Sequence, residues 1–252
     1  MMEHFNAGNY VTTKEKVYFG IMLFFSIFIY LLMIVWIVGI FYMLLIALFL
    51  LFAQGISIGS IRQNSVKITP DQFGDIYGKV VEYSEKLYLK NVPDVYLMQS
   101  GGLLNAFATR FLFKDVVVIY SDILELAYAQ GEDAVNFIIA HELAHVKRKH
   151  LSKSKYIIFG EFIPFLGLAY SRACESTCDR IASKLINTPS VDGLIVLAAG
   201  KMLYKKVDVK LFLANAAKDR GFWCWLAEIC STHPHITSRV KYLNDLEEKF
   251  MV

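Results

Sequence analysis

Charge is what the N-terminal part of this sequence lacks: from residue 17 to residue 61 there is no Asp, Glu, Lys or Arg. The chain as a whole is only 19% charged and 56% hydrophobic, with a mean hydropathy of +0.43. An ordinary soluble domain is about 45–50% apolar, so disorder and collagen-like structure are excluded and part of the chain is expected in lipid. Cysteine is scarce too. Cys174, Cys178, Cys224 and Cys230 are too few in 252 residues for a disulfide framework, which predicts reduced thiols in a cytosolic compartment. Neither sign of charge dominates, because 26 Lys and Arg face 23 Asp and Glu, and the basic cluster is limited to Lys147-Arg148-Lys149. No nucleic-acid partner is expected. Internal repeats, low-complexity tracts and flexible linkers are absent.

The apolar run is about twice the ~20 residues that one membrane-crossing helix needs, so it reads as two spans joined by a tight turn near Gly39. Trp36, Phe41 and Tyr42 flank that turn, and such aromatic rings favour the headgroup level. A secretory signal is not expected, since the apolar run is about three times too long for one and no small-residue cleavage site follows a short core. Lys14 and Lys16 precede the first span, Arg62 and Lys67 follow the second, and the connector has no basic residue. By the positive-inside rule both ends face the cytosol, giving a multi-pass protein of the cell membrane with residues 62–252 on the cytoplasmic side. One long helix instead would place that part outside. A second apolar stretch, 156–170, holds Glu161 and Pro164 and reads as buried or interfacial, with a membrane-inserted hairpin as the alternative.

Residues 1–61 are thus an N-terminal tail and transmembrane hairpin, and 62–252 are long enough for one further domain. In that domain Thr69-Pro70-Asp71 reads as a helix start, followed by Phe73, Ile76, Tyr77 and Val80 on one buried face. Residues 94–98 read as a strand, Gly101-Gly102 as a turn, 105–113 as extended, Lys114-Asp115 as a turn and 116–120 as a β-branched strand. From Ser121 onward the pattern is helical, with breaks at Gly131, Pro189, Gly221 and Pro234. The fold class is α+β, a transmembrane helical hairpin followed by a small β-sheet and a mostly helical body.

The most informative residues are His141-Glu142-Leu143-Ala144-His145, an H-E-x-x-H run in a helix expected over about 133–150. Spacing of four puts both imidazoles on one helix face, able to bind one metal ion. Zinc suits nitrogen ligands and acidifies a water, whose proton Glu142 is placed to take as general base. Gly131-Glu132-Asp133 at the start and Lys147-Arg148-Lys149-His150 at the end complement the helix dipole. A catalytic zinc needs a third protein ligand. Glu175 and Asp179 share a face in a breaker-free segment, which suggests Glu175 as that ligand and Asp179 as an acceptor orienting His141; an ordinary solvated acidic face is the competing reading. Cys174 and Cys178 read as small buried thiols, because thiolates favour closed structural sites. His4, His150 and His235 lack partners at ligand spacing and are expected to be solvated.

Taken in order, Asn105-Ala106-Phe107-Ala108, HELAH at 141–145, the E-x-x-x-D of Glu175 and Asp179, and Thr232-His233-Pro234 followed by Arg239 resemble the HtpX-type membrane zinc metallopeptidases, relatives of the CAAX prenyl proteases. The resemblance implies a gluzincin-type domain with one Zn2+ per chain, held by His141, His145 and Glu175, and Glu142 as base. It implies that Asn105, Ala106 and Phe107 form an edge strand that pairs with the substrate backbone. His233 is implied as a donor to the developing oxyanion, against a reading as a helix cap. Arg239 is implied near the site, where a structural salt bridge accounts for it equally well. Polypeptide substrates follow, membrane or misfolded proteins in quality control; a CAAX-type or other single-substrate processing peptidase and a non-catalytic zinc-binding scaffold are the rivals. The interval between His145 and Glu175 is shorter than the family's usual insertion, so further spans are not expected there.

Overall fold

After a short 3-10 turn (Ala7–Tyr10), residues 17–61 lie in two long helices that are interrupted at Trp36. The computed structural model describes residues 5–99, 101, 105–112, 114–130, 133–186 and 191–250. His4, Gly102, Phe113, Gly131, Glu132 and Pro189, singled out above, lie outside the described residues. Helix α1 (Thr13–Val35) starts at an N-cap, with Thr12 accepting from the Glu15 amide at 3.2 Å. Helix α2 (Ile37–Asn64) begins after a single extended residue, Trp36, at φ −104° and ψ 119°. The turn therefore falls near Gly39, as expected, at Trp36. An extended residue of any type suffices to redirect the chain, and Gly39 answers a different need: a Cβ there would stand 2.8 Å from the Met33 Cα, so glycine permits the close approach of the two helices.

Both helices are long and apolar enough to cross a membrane, and their most apolar windows are only 11% and 0% buried. Core helices of a soluble protein would be covered; here Phe24, Phe28, Leu31, Phe49 and Phe52 face outward. Away from the turn the helices rest on different parts of the body. Met22 of α1 is buried with Ile157, Tyr170 and Cys174, and Ser26 accepts from the Gly160 amide at 2.8 Å. Ile58 and Ile61 of α2 pack on the sheet against Tyr96, Val116 and Val118. The stretch 156–170 holds one 3-10 turn (Ile158–Phe162) against α1, with Tyr156, Phe162 and Phe165 exposed.

A Cβ on Gly160 would stand 2.7 Å from the Met22 Cα. Gly160→Val is accordingly expected to pry α1 from the body and cost about 1–3 kcal/mol, the usual range for overpacking. Thermal melts of the detergent-solubilised variant and wild type measure it.

The sheet has four strands, β1 (Val66–Ile68), β2 (Asp94–Met98), β3 (Ala106–Phe111) and β4 (Lys114–Tyr120), in the order β1-β2-β4-β3. β2 and β4 run parallel and the other pairs antiparallel. Central β4 is buried on both faces, Val116 and Val118 towards α2 and Val117 and Ile119 towards the main core, as its unbroken apolar run requires. β3 is left at an edge.

Two expected punctuation points differ. Thr69 and Gln72 exchange backbone hydrogen bonds of 2.9 and 3.0 Å across Pro70-Asp71, so Thr-Pro-Asp forms a tight turn and α3 (Gly74–Lys86) starts after it. Lys114 and Asp115 belong to β4, where they pair with Phe111 and Arg110. The left-handed backbone that the hairpin needs is at Leu112, φ 52°.

The helical body comprises α4 (Ser121–Gln130), α5 (Asp133–Arg148), α6 (His150–Ser154), α7 (Leu166–Leu185), α8 (Asp192–Ala199), α9 (Val209–Lys218), α10 (Phe222–Ile229) and α11 (Ile236–Phe250). α5 carries the HELAH run and is packed against α3, α7, α8 and the sheet. Phe137, Ile139, Leu143 and Ala144 are almost wholly buried, which fixes the rotation of α5 and the direction in which His141 and His145 point.

Candidate metal centre

The side chains that the sequence suggested converge where α5 meets α7. His141 Nε2 and His145 Nε2 lie 3.2 Å apart, as the i, i+4 spacing on one helix dictates. Glu175 reaches across from α7, with Oε2 3.2 Å from His141 Nε2 and Oε1 3.2 Å from His145 Nε2. Donors held at ~2.0–2.1 Å around a tetrahedral zinc stand roughly 3.3–3.4 Å from one another, so the two imidazole nitrogens and the Glu175 carboxylate, each imidazole facing a different oxygen of it, are spaced to share one such ion. Glu142 follows His141 on α5 and is 8% exposed. All four line a cavity of about 750 Å³ whose wall includes Asn105, Ala106 and Phe107.

Behind His141 sits a fixed charge pair. Arg239 of α11 donates through Nε and Nη2 to the two Asp179 oxygens, both at 2.7 Å, and Asp179 Oδ1 lies 2.9 Å from His141 Nδ1, angled away from the ideal hydrogen-bond line. Burial raises the Asp179 pKa, but the guanidinium and His141 outweigh it and hold the carboxyl below its ordinary range. Glu175 is likewise kept ionised against burial by His145 and His141. Burial opposes charge on His141, yet Asp179 and Glu175 push it up to about 10 in the metal-free chain. Arg239 thus forms a buried salt bridge with Asp179, whose carboxylate in turn faces the back of His141.

Residues 70–161 and 155–247 match the family model described as peptidase family M48. The chain belongs to peptidase family M48. Its fold is similar to the crystal structure of S. mikatae Ste24p, with a TM-score of 0.55 and 14% identity over 86% of this chain. The match covers 61% of the Ste24p chain, and at this identity it speaks for the fold alone. No curated protein matches the sequence. The expected kinship with HtpX-like membrane metallopeptidases and the α+β fold, mostly helical with a small sheet behind two apolar helices, both hold.

The remaining suggested residues of this M48 chain are placed as follows. His233 is 59% exposed at its side chain and lines the cavity, with Nε2 3.6 Å from Glu175 Oε1 and Nδ1 2.9 Å from Thr232 Oγ1. At the start of α11 the Ser238 and Arg239 amides donate to the His235 carbonyl. His235 is half-buried, with Nδ1 3.9 Å from Glu228. Asn105 anchors the start of edge strand β3, its carbonyl accepting from the Tyr120 amide at 3.1 Å and its side chain from the Ala106 amide at 2.9 Å. Cys174 and Cys178 are buried free thiols.

His150 was expected in solvent and is buried instead. Its Nδ1 lies 3.0 Å from His145 Nδ1, and its Nε2 3.3 Å from Glu15 Oε1. Burial, only partly offset by Glu15, pushes its pKa down to about 4 and leaves it neutral. On an unbroken helix His150 would point ~140° away from His145. The helix ends at Arg148, and left-handed Lys149 at φ 55° turns His150 back. In the sequence His150 reads only as one of the basic residues that close α5, and Glu15, which precedes the uncharged run at 17–61, carries no signal of this contact.

Proposed function

We propose that this chain is a membrane-anchored zinc endopeptidase, with residues 62–252 as its catalytic domain and the α1–α2 hairpin as its anchor. The observation that carries the reading is the convergence of His141 Nε2 and His145 Nε2, 3.2 Å apart, each 3.2 Å from one of the two Glu175 carboxylate oxygens, beside a buried Glu142. These three side chains would hold one zinc, which when bound supplies a Lewis acid able to polarise a carbonyl and acidify a water. Glu142 takes the proton of the attacking water and returns it to the leaving amine. His233, exposed in the cavity, donates to the oxygen that gains charge as the carbonyl is attacked. The edge formed by Asn105 and by Ala106 and Phe107 of β3 adds the substrate as a further strand, giving backbone affinity with little demand on side chains. Asp179 and Arg239 hold His141 in place.

Such recognition suits extended, unfolded segments, and the substrates proposed are misfolded or membrane polypeptides in quality control. Lys14 and Lys16 at the start of α1 and Arg62 near the end of α2 support a cytosolic position for both ends, with Trp36 across the bilayer. The test is digestion of an unfolded model protein by the full chain in detergent. Cleavage at many sites, abolished by a zinc chelator and restored by added zinc, is expected. Cleavage that persists in chelator contradicts the metal reading, and a single cut confined to one substrate contradicts the quality-control role.

A further inference from the structure

The two ligand imidazoles are backed differently, and the second backing leads out of the catalytic domain. Behind His141 stand Asp179 and Arg239. Behind His145 stand His150 and then Glu15, which belongs to the charged first turn of membrane helix α1 and is only 1% exposed. Glu15 accepts from Arg148 Nη2 at 2.8 Å, so its charge is matched by a cation from the end of α5. The start of α1 is also fixed to α7 on both sides of Glu175: the Thr12 amide donates to Thr177 Oγ1 at 3.1 Å and the Thr12 hydroxyl to the Ala173 carbonyl at 3.3 Å.

The protons along this line have one consistent arrangement. A neutral imidazole that offers Nε2 to a metal carries its hydrogen on Nδ1. For His145 that hydrogen points at His150 Nδ1, which must then be bare and accept it. His150 is left with its hydrogen on Nε2, facing the Glu15 carboxylate, which can only accept. Were the His150 hydrogen on Nδ1 instead, His145 would be driven to protonate Nε2 and would lose its ligand lone pair. Glu15 decides between the two.

We propose that Glu15 of the membrane helix, acting through His150, is a positioning residue that holds His145 in its metal-binding tautomer. Anchor and metal centre are then one unit, and an anchor helix displaced from the body weakens the metal site. The inference rests on the zinc reading above. A rival use of the same atoms is a second metal, since donor atoms of Glu15, His150 and Cys174 lie within 4.8 Å of one another, as do those of His145, His150 and Cys178. The Arg148 guanidinium on Glu15 opposes a cation there.

The experiment is competition for zinc between a chromophoric chelator and the full chain in detergent, with the melting temperature of the metal-free protein followed in parallel. His150→Phe keeps a ring but offers His145 no acceptor, and is expected to weaken zinc binding about 10–100-fold, the usual effect of losing a partner behind a ligand. His150→Asn, whose Oδ1 can replace the Nδ1 acceptor, is expected to recover most of that loss. Paired replacement of Glu15→Met and Arg148→Met removes both charges together and is expected to weaken zinc as His150→Phe does. Metal-free melting temperatures of His150→Phe and His150→Asn should agree with each other.

Wild-type affinity in His150→Phe and in the paired variant, with His145→Ala losing zinc, overturns the proposal and leaves the metal reading standing. Equal weakening in His150→Asn and His150→Phe also overturns it, because the acceptor then plays no part. Two zinc ions per chain favour the second-metal rival, and a wild-type chain that binds none defeats the metal reading and this proposal together.

Discussion

Glu142→Gln is expected to cut an unfolded protein about 10²–10⁴-fold more slowly than wild type, the range that a positioned general base contributes. The amide fits the same space in the buried turn of α5 but cannot accept the water's proton. Zinc content should stay near one per chain in both proteins, because Glu142 is not one of the three clustered donors. Equal cleavage by wild type and variant at matched zinc would move the chemistry elsewhere. Inactivity of both, with zinc bound, would favour the scaffold reading.

The second large effect is on stability. Arg239→Met leaves the Asp179 carboxylate buried without its two 2.7 Å donors, and breaking such a pair from one side typically costs about 3–5 kcal/mol. Asp179→Asn combined with Arg239→Met should recover a good part of the loss, since no unpaired charge then remains. Denaturant titration of the metal-free proteins checks both. The sign of the pH dependence follows as well: a carboxyl depressed in the folded state contributes stability that is present above its ordinary value of 3.8 and lost as pH falls through the depressed one. Asp179→Asn should flatten that acid limb. A double variant no more stable than Arg239→Met would contradict the role given to the ion pair.

What was legible in the sequence follows from local periodicity. Four-residue spacing put His141 and His145 on one face and Glu175 and Asp179 on another, and both pairs met as soon as α5 packed on α7. The β-branched run at 116–120 read as a strand and is one, and the uncharged run at 17–61 read as two spans and forms two exposed apolar helices. Failures arose where one residue's backbone, or a partner distant in the chain, decided the outcome. Left-handed Lys149 redirected His150, and a Thr69–Gln72 turn displaced a plausible helix start. Glu15 is the clearest case, because an acid in the first turn of an apolar helix looks like an N-terminal dipole partner until the fold brings His150 and Arg148 against it.

Cobalt substitution of the detergent-purified full chain tests the metal centre most directly. One cobalt per chain is expected, with the visible absorption of a four-coordinate nitrogen and oxygen site, lost in Glu175→Ala and unchanged in Cys178→Ala. A near-ultraviolet thiolate band, or a spectrum indifferent to Glu175, would show that His141, His145 and Glu175 are not the ligand set.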